Sequence, residues 1–423
     1  MLLPCGRRRY LLFLATIVIS LFFLLLFAHK ILSFHMLKRS EMIVIIGNTN
    51  DRQKIAIAKS NTNPKDSELS HGDTTSSSTS VTSPTFSTVS PTSLKSLITG
   101  RPGPTNVPIV VCGDRNNLVD VKDIFESKKV PRVELFITIL TAPHQFPRRM
   151  AIRDTWLSTA RNYSVAYRFF TDGKELAPEV KKKLDEEQRK YKDLEFLPTK
   201  GGYWFSHRYL HALFWASKHY SFNFYLRMDD DYFLCLNNLY NDLQYRKKEK
   251  LLYWGNMCCW PSLVAMDEGF VILGTDLLQE IVRRNNSLCC HPMGGQMIAM
   301  WVNRLDHEGL EVTYFQDNER LKHYRNQLKG IDSNLCMDVI GIHESYPKEM
   351  HEYWNVTKDS WFSLKSNDFL KVKRKEYWEY CSRPKGWDWR ALNPHWKHEP
   401  KPCWAPGVDW PELHSFKFHK GRE

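Results

Sequence analysis

The chain contains no internal repeat, which excludes solenoids, propellers and other stacked arrays. Its adjacent cysteines, Cys258–Cys259 and Cys289–Cys290, lack the intervening residues of a zinc knuckle, so disulfides or buried thiols are expected there rather than a metal. Charge is missing altogether from Tyr10 to Ala28 (YLLFLATIVISLFFLLLFA), 19 residues in which Thr16 and Ser20 are the only hydroxyl breaks. A helix of about 20 apolar residues crosses a bilayer core, whereas a helix buried in a globular core is rarely apolar all round. No small-x-small cleavage site follows the run, which also exceeds the roughly 7–15-residue core of a cleaved signal peptide. Arg7, Arg8 and Arg9 precede it, and the positive-inside tendency holds such residues in the cytosol. The expected organisation is a cytosolic tail over 1–9, a transmembrane signal anchor over 10–28, and everything beyond on the far side of the membrane. That topology speaks against nucleic-acid binding despite a formal net charge of +12.

The 423 residues, 42% hydrophobic and 25% charged, suffice for a sizeable core, and 14 Trp, 18 Tyr and 23 Phe exclude wholesale disorder. From Thr74 to Ser93, 15 of 20 residues are Ser or Thr, too little apolar surface to fold, so 29–106 reads as a disordered stem open to O-glycosylation. The punctuation ends at RPGPT (101–105), and a folded domain is expected over 107–355. A Trp- and Pro-rich extension, 356–423, either packs across that domain or presents aromatic faces to glycans. Cys5 is cytosolic on this topology and leaves nine cysteines in an oxidising compartment, so at least one is free or intermolecular. Sequons at Asn162, Asn285 and Asn355 become candidate surface glycosylation sites.

Strand and helix signals alternate through the folded part, which gives the class α/β. Val133–Leu140 (VELFITIL) and Val165–Thr171 read as strands, with helices over Arg148–Trp156, Ala177–Lys190 and Trp204–His219. Asn223–Met228 (NFYLRM) reads as a buried strand that runs directly into Asp229, Asp230 and Asp231. Ligands in such sheets sit beyond the carboxyl ends of strands, where carboxylates pack poorly but hold hard divalent cations well. A cation there would bridge the phosphates of a nucleotide-sugar, and His343, in VIGIHESYP, is placed to complete its coordination from a distant segment.

RRMAIRDTW (148–156) resembles the early signature of the Golgi β1,3-galactosyltransferase and β1,3-N-acetylglucosaminyltransferase family. YRFF (167–170), YKDLEF (191–196), Tyr203 before a helix carrying Trp215, the aspartate cluster, and DEGFVILGTD (267–276) agree in order over about 133–355. The resemblance implies a GT-A-like nucleotide-sugar-binding domain with a central mixed sheet, preceded by one transmembrane helix. It implies a single-pass type II Golgi membrane protein with its domain in the lumen, using Mn²⁺ and a UDP-sugar. The reaction implied is inverting transfer of a hexose, galactose preferred or an N-acetylhexosamine, to a glycan on protein or lipid in β1,3 linkage. Asp231 and His343 would then be metal ligands, and Asp229 and Asp230 would place ribose, sugar or metal-bound water. Arg153 and Asp154 are candidates for a place near the nucleotide, Arg toward phosphate and Asp toward base or ribose, with a helix-cap salt bridge the equal alternative. Homo- or hetero-oligomers with other glycosyltransferases fit the same picture.

One departure stands out. Where that family has a Glu-Asp-Val segment before a glycine, this chain reads HPMGGQMIAMW (291–301), and Met293, Gly294, Gly295 and Gln296 offer no carboxylate base. An inverting transfer needs a base at the acceptor hydroxyl, and Asp267, Glu268 and His291 are the candidates. Trp260 and Trp301 are candidates for stacking on an acceptor sugar, with core packing the alternative. Loss of the acids leaves a second reading, a catalytically inactive lumenal sugar-binding relative or partner of another glycosyltransferase. A glycosidase would need two opposed carboxylates and no nucleotide donor, and an adhesion protein would need neither Asp231 nor His343 in a shared site.

Overall fold

The first described strand, β1 (Arg132–Leu140), turns Leu135, Ile137 and Ile139 to one face and Phe136 and Leu140 to the other, all of them buried. A strand covered on both faces reads as a continuous apolar run, which is why VELFITIL does not alternate. The structure, a computed structural model, describes residues 130–202, 204–259, 264–362, 398–403, 408, 410 and 413. The expected cytosolic tail, anchor and stem, with Trp260 and much of the C-terminal extension, lie outside the described residues. No helix among the described residues is long and apolar enough to cross a membrane.

After β1 comes helix α1 (Phe146–Asp154), begun by Pro147 in its first turn and ended at Thr155, whose ψ of −119° leaves helical space. A 3-10 turn over Trp156–Asn162 leads to β2 (Val165–Asp172), α2 (Pro178–Tyr191), β3 (Leu194–Leu197) and α3 (Phe205–His219). Then follow β4 (Ser221–Asp229), β5 (Phe233–Leu234), α4 (Leu236–Arg246), β6 (Leu252–Cys259) and β7 (Val264–Gly274). Next come α5 (Thr275–Arg283), β8 (Cys289–Cys290), α6 (Gly294–His307), β9 (Thr313–Gln316) and β10 (Leu321–Lys322). The last described elements are α7 (Leu335–Asp338), β11 (Gly341–Ile342), α8 (Pro347–Thr357) and β12 (Lys401–Pro402).

The main sheet has seven strands in the order β3-β2-β1-β4-β7-β6-β9. Strand β1 is parallel to β2 and β4, whereas β7 is antiparallel to both β4 and β6, so the sheet is mixed, consistent with a GT-A-like fold. Burial on each face makes two cores. One gathers Tyr209, Leu213 and Phe214 of α3 with Met297, Ile298 and Trp301 of α6, and the other gathers Ile152 and Trp156 with Leu239, Tyr353 and Trp361.

Buried charge joins α1 to its neighbours. Arg149, 1% exposed, gives Nε and Nη2 to Glu187 of α2 at 2.8 and 2.7 Å, and Nη1 to the carbonyl of Ala142 at 2.9 Å. A buried guanidinium satisfied in this way fixes the angle at which α1 leaves β1.

The cysteines form disulfides as expected: Cys235 with Cys336 and Cys290 with Cys403, while Cys259 and Cys289 are also disulfide-bonded and Cys258 is free. The described part of the extension packs across the domain. Strand β12 pairs with β8, and Trp410, 3% exposed, sits in the α3–α6 core. Of the two alternatives for Trp301 the structure takes core packing: it is 3% exposed, with Nε1 donating to the Cys289 carbonyl. One expectation among the sequons is corrected. Asn285 is 4% exposed with its amide donating to the Val282 carbonyl, whereas Asn162 and Asn355 are exposed as sequons require.

Candidate active site at the carboxyl end of β4

Strand β4 lies at the middle of the sheet and ends in Asp229, after which the chain turns through Asp230 and Asp231 into β5. Strand β5 pairs with β11, Phe233 opposite Ile342 and Leu234 opposite Gly341, and the Ser345 amide donates to the Asp231 carbonyl at 2.8 Å. These bonds carry His343, 112 positions beyond Asp231 in sequence, to the aspartates (343 − 231). Carboxylate oxygens of Asp229 and Asp231 and a ring nitrogen of His343 all lie within 4.8 Å of one another. Tyr232 stacks its ring on His343 at 4.9 Å and fixes the imidazole plane.

The three aspartates face different partners. Asp229 Oδ1 receives Arg227 Nη2 at 2.9 Å. Asp230 is buried, and it accepts Thr141 Oγ1 at 2.6 Å and Arg148 Nη1 at 2.9 Å, tying β1 and α1 to the cluster. Asp231 has Oδ1 3.4 Å from His343 Nε2 and Oδ2 3.6 Å from Arg148 Nη1. Burial pushes Asp230 up to about 6, although Arg148 works against it, and raises Asp229, where Arg227 only partly compensates. Burial would raise Asp231 as well, but His343 and Arg148 override it and hold that carboxyl below its ordinary value.

Burial alone would lower His343. Asp231 beside it, with Asp229 and Asp267 behind, reverses the sign and pushes the imidazole up to about 9. Because the folded value lies above the ordinary 6.5, the His343–Asp231 pair stabilises the metal-free fold fully below about pH 6.5, and that contribution is lost as pH rises through about 9. A cation held by Asp229, Asp231 and His343 would have to displace the same proton, since only neutral imidazole ligates. Its affinity is therefore expected to rise about tenfold per unit between pH 6.5 and 8.5. Titration calorimetry with Mn²⁺ at three pH values checks this, and a flat profile would remove His343 from the ligand set.

The donors fit a hard divalent cation: two carboxylate oxygens and one imidazole, partly open to solvent. Asp231 Oδ1 is buried and faces His343 Nε2 at 3.4 Å outside good hydrogen-bonding geometry, so a cation between the two would satisfy both. The other expected residues fall into separate places. Asp267 Oδ1 accepts the Gly269 amide and Oδ2 lies 3.9 Å from His323, while Glu268 Oε2 accepts the Gly295 amide at 2.8 Å. Both are half-buried on β7, which adjoins β4. His291 is 0% exposed, and its Nδ1 accepts the Met293 amide. Arg153 is held by Asp193 and Glu187 against the ring of Tyr191, and Asp154 is exposed; neither makes contact with Asp229, Asp231 or His343.

Two residues of the site escaped the sequence reading. Arg148 belongs to RRMAIRDTW, and its signal was one arginine among three. Its guanidinium, over the ring of Tyr346 at 4.8 Å, is the cation nearest the aspartate turn from α1. His323, its ring 5.8 Å from that of His343, carried no signal, because only the pairing of β10 with β11 brings it there.

A family profile described as Galactosyltransferase matches residues 147–264, from α1 through the aspartate turn to the start of β7. A mouse protein, beta-1,3-galactosyltransferase 6, is 33% identical over 134 residues, which is 30% of this chain and 41% of that protein. An Arabidopsis thaliana protein, beta-1,3-galactosyltransferase GALT1, is 24% identical over 260 residues, 55% of this chain and 38% of its own length. The chain thus spans about two fifths of the length of these curated relatives. Among solved structures, the galactosyltransferase LgtC in complex with donor and acceptor sugar analogs aligns at a TM-score of 0.32 and 8% identity, over 55% of this chain and 96% of its own. The chain is galactosyltransferase-like through low-identity similarity, and the family profile covers the segment that carries the aspartates.

Proposed function

We propose that this chain is a glycosyltransferase that moves a hexose, galactose in preference to an N-acetylhexosamine, from a UDP-sugar to a glycan hydroxyl on protein or lipid. The transfer inverts the anomeric centre and makes a β1,3 linkage, and the chain works as a single-pass type II protein of the Golgi membrane. The observation that carries the reading is the meeting of Asp229 and Asp231 with His343 at the carboxyl end of the central strand. Similarity to galactosyltransferases over 147–264 supports the same class.

Asp229, Asp231 and His343 would hold a divalent cation such as Mn²⁺, which when bound offsets the charge that builds on the departing nucleoside diphosphate. Asp230 does not need to touch it. Its bonds to Thr141 and Arg148 fix the turn so that Asp231 points toward His343, and Arg148 adds positive charge on the α1 side, where phosphate oxygens are favoured. Tyr232 restricts the imidazole, so little ordering remains to be done on binding. The proton of the acceptor hydroxyl goes to a carboxylate of the Asp267–Glu268 pair on the adjacent strand, because His291 is enclosed and already engaged.

The test is UDP release by the full-length chain in detergent, with UDP-galactose, UDP-N-acetylglucosamine and UDP-N-acetylgalactosamine, a panel of β-linked acceptors, and Mn²⁺ or EDTA. Acceptor-stimulated, chelator-sensitive release establishes the class and identifies the donor. UDP binding without turnover on any acceptor would favour the inactive sugar-binding reading.

A further inference from the structure

Helix α6 begins with two glycines, Gly294 and Gly295. What occupies the space is a side chain from the neighbouring strand. A Cβ added to Gly294 would lie 2.8 Å from Glu268 Oε2, and one added to Gly295 would lie 3.1 Å from Glu268 Cβ and 3.1 Å from the Met266 carbonyl. A side chain at the start of α6 and a carboxylate at 268 therefore compete for one volume. Resting on the transferase reading above, we propose that Glu268, on β7 and seated on Gly294–Gly295 at the start of α6, is the acceptor-activating carboxylate.

The seat leaves one oxygen to react. Oε2 accepts the Gly295 amide at 2.8 Å at the amino end of a 14-residue helix, where negative charge is favoured, while Oε1 has no partner among the described residues on a half-buried side chain. Arg227, 1% exposed, stands between the two acids: its Nη2 binds Asp229, and its charge reaches Glu268. It thus links the base to the cation site and opposes neutralisation of both carboxylates. Burial, with Asp229 nearby, still raises Glu268 above the ordinary glutamate value against the pull of Arg227, and this brings a base nearer its working pH. Asp267 is the poorer choice, since Oδ1 is engaged by Gly269 and Oδ2 faces His323.

In the step itself, Oε1 takes the acceptor hydroxyl proton as the acceptor oxygen bonds to the anomeric carbon. The bond from that carbon to the nucleotide's phosphate oxygen breaks, and its electron pair leaves on the diphosphate.

The experiment uses the full-length chain and compares Glu268→Gln, Glu268→Gly and the double variant Glu268→Gly/Gly294→Asp. Glu268→Gln keeps the shape and the Gly295 bond. It is expected to lower acceptor-dependent kcat by about 100-fold or more, with UDP and Mn²⁺ affinities unchanged and the acidic limb of the pH profile abolished. Moving the acid onto the helix is expected to raise turnover at least tenfold over Glu268→Gly, and added formate is expected to rescue that single variant in part. Glu268→Gln retaining a third or more of wild-type kcat overturns the assignment and leaves the transferase reading standing. A wild-type chain that binds UDP and Mn²⁺ but transfers to no acceptor overturns both.

Discussion

Asp231→Ala is expected to abolish metal-stimulated UDP release from the full-length chain, by about 10³-fold or more at saturating donor. A cation that stabilises a departing diphosphate contributes several kcal/mol to the barrier, and about 1.4 kcal/mol is a factor of ten, so loss of a principal ligand reaches that size. Asp231 is singled out because it alone of the aspartates faces both His343 and Arg148. The substitution leaves its backbone bond to Ser345 in place, so β5 and β11 should still pair. Removing the carboxylate also removes the first support for the raised proton affinity of His343, which falls back toward its ordinary value. A Mn²⁺ titration of UDP release checks the prediction, and wild-type turnover at an unchanged metal concentration would refute the proposed ligand set.

Cys336→Ser is expected to cost stability and metal affinity together. The Cys235–Cys336 bond closes a loop of sequence separation 101, and a loop of about 100 residues corresponds to about 4.7 kcal/mol of chain entropy withheld from the unfolded state. Cys235 directly follows β5, and Cys336 lies in α7 just ahead of β11. The bond therefore braces the two short strands that carry Asp231 and His343 to each other, strands too short to hold register unaided. Denaturant unfolding should show the loss in Cys235→Ser and Cys336→Ser alike, with nothing further in the double variant. An undiminished Mn²⁺ affinity in all three would mean that the β5–β11 pairing suffices.

The architecture was legible where the chain is locally consistent. VELFITIL, VAYRFF and NFYLRM are β-rich apolar runs, and each is a strand within a residue or two of its expected ends. Pro147 and Pro178 mark helix starts that the sequence reading placed close by. Asp229–Asp231 could be located because a charged triplet after a buried strand has no packing explanation, whereas His343 was a lone histidine after a short strand whose placement the resemblance reinforced. Side-chain destinations were less legible. Arg153 and Arg148 share one helix five positions apart, and only the course of α2 and β3 decides that Arg153 meets Asp193 while Arg148 meets the aspartates. Gly294 and Gly295 looked like a deletion of function because the side chain that fills their space comes from another element, 26 positions earlier (294 − 268). Asn285 carried a sequon that suits an exposed residue, and packing at the end of α5 overrode it, while for Trp301 the packing of α6 decided between a stacking face and the core.

The burial of Asn285 sets a race during synthesis. In any compartment where oligosaccharide is attached to emerging chains, the Asn285 sequon is open until α5 and β8 come together, and it closes once the amide is turned inward on Val282. A chain that receives the sugar first cannot complete that half of its core, since a bulky polar glycan has no place beside Val282 and Leu288. Occupancy at Asn285, set against that at the exposed Asn162 and Asn355, is thus a clock: it counts the molecules in which modification overtook folding.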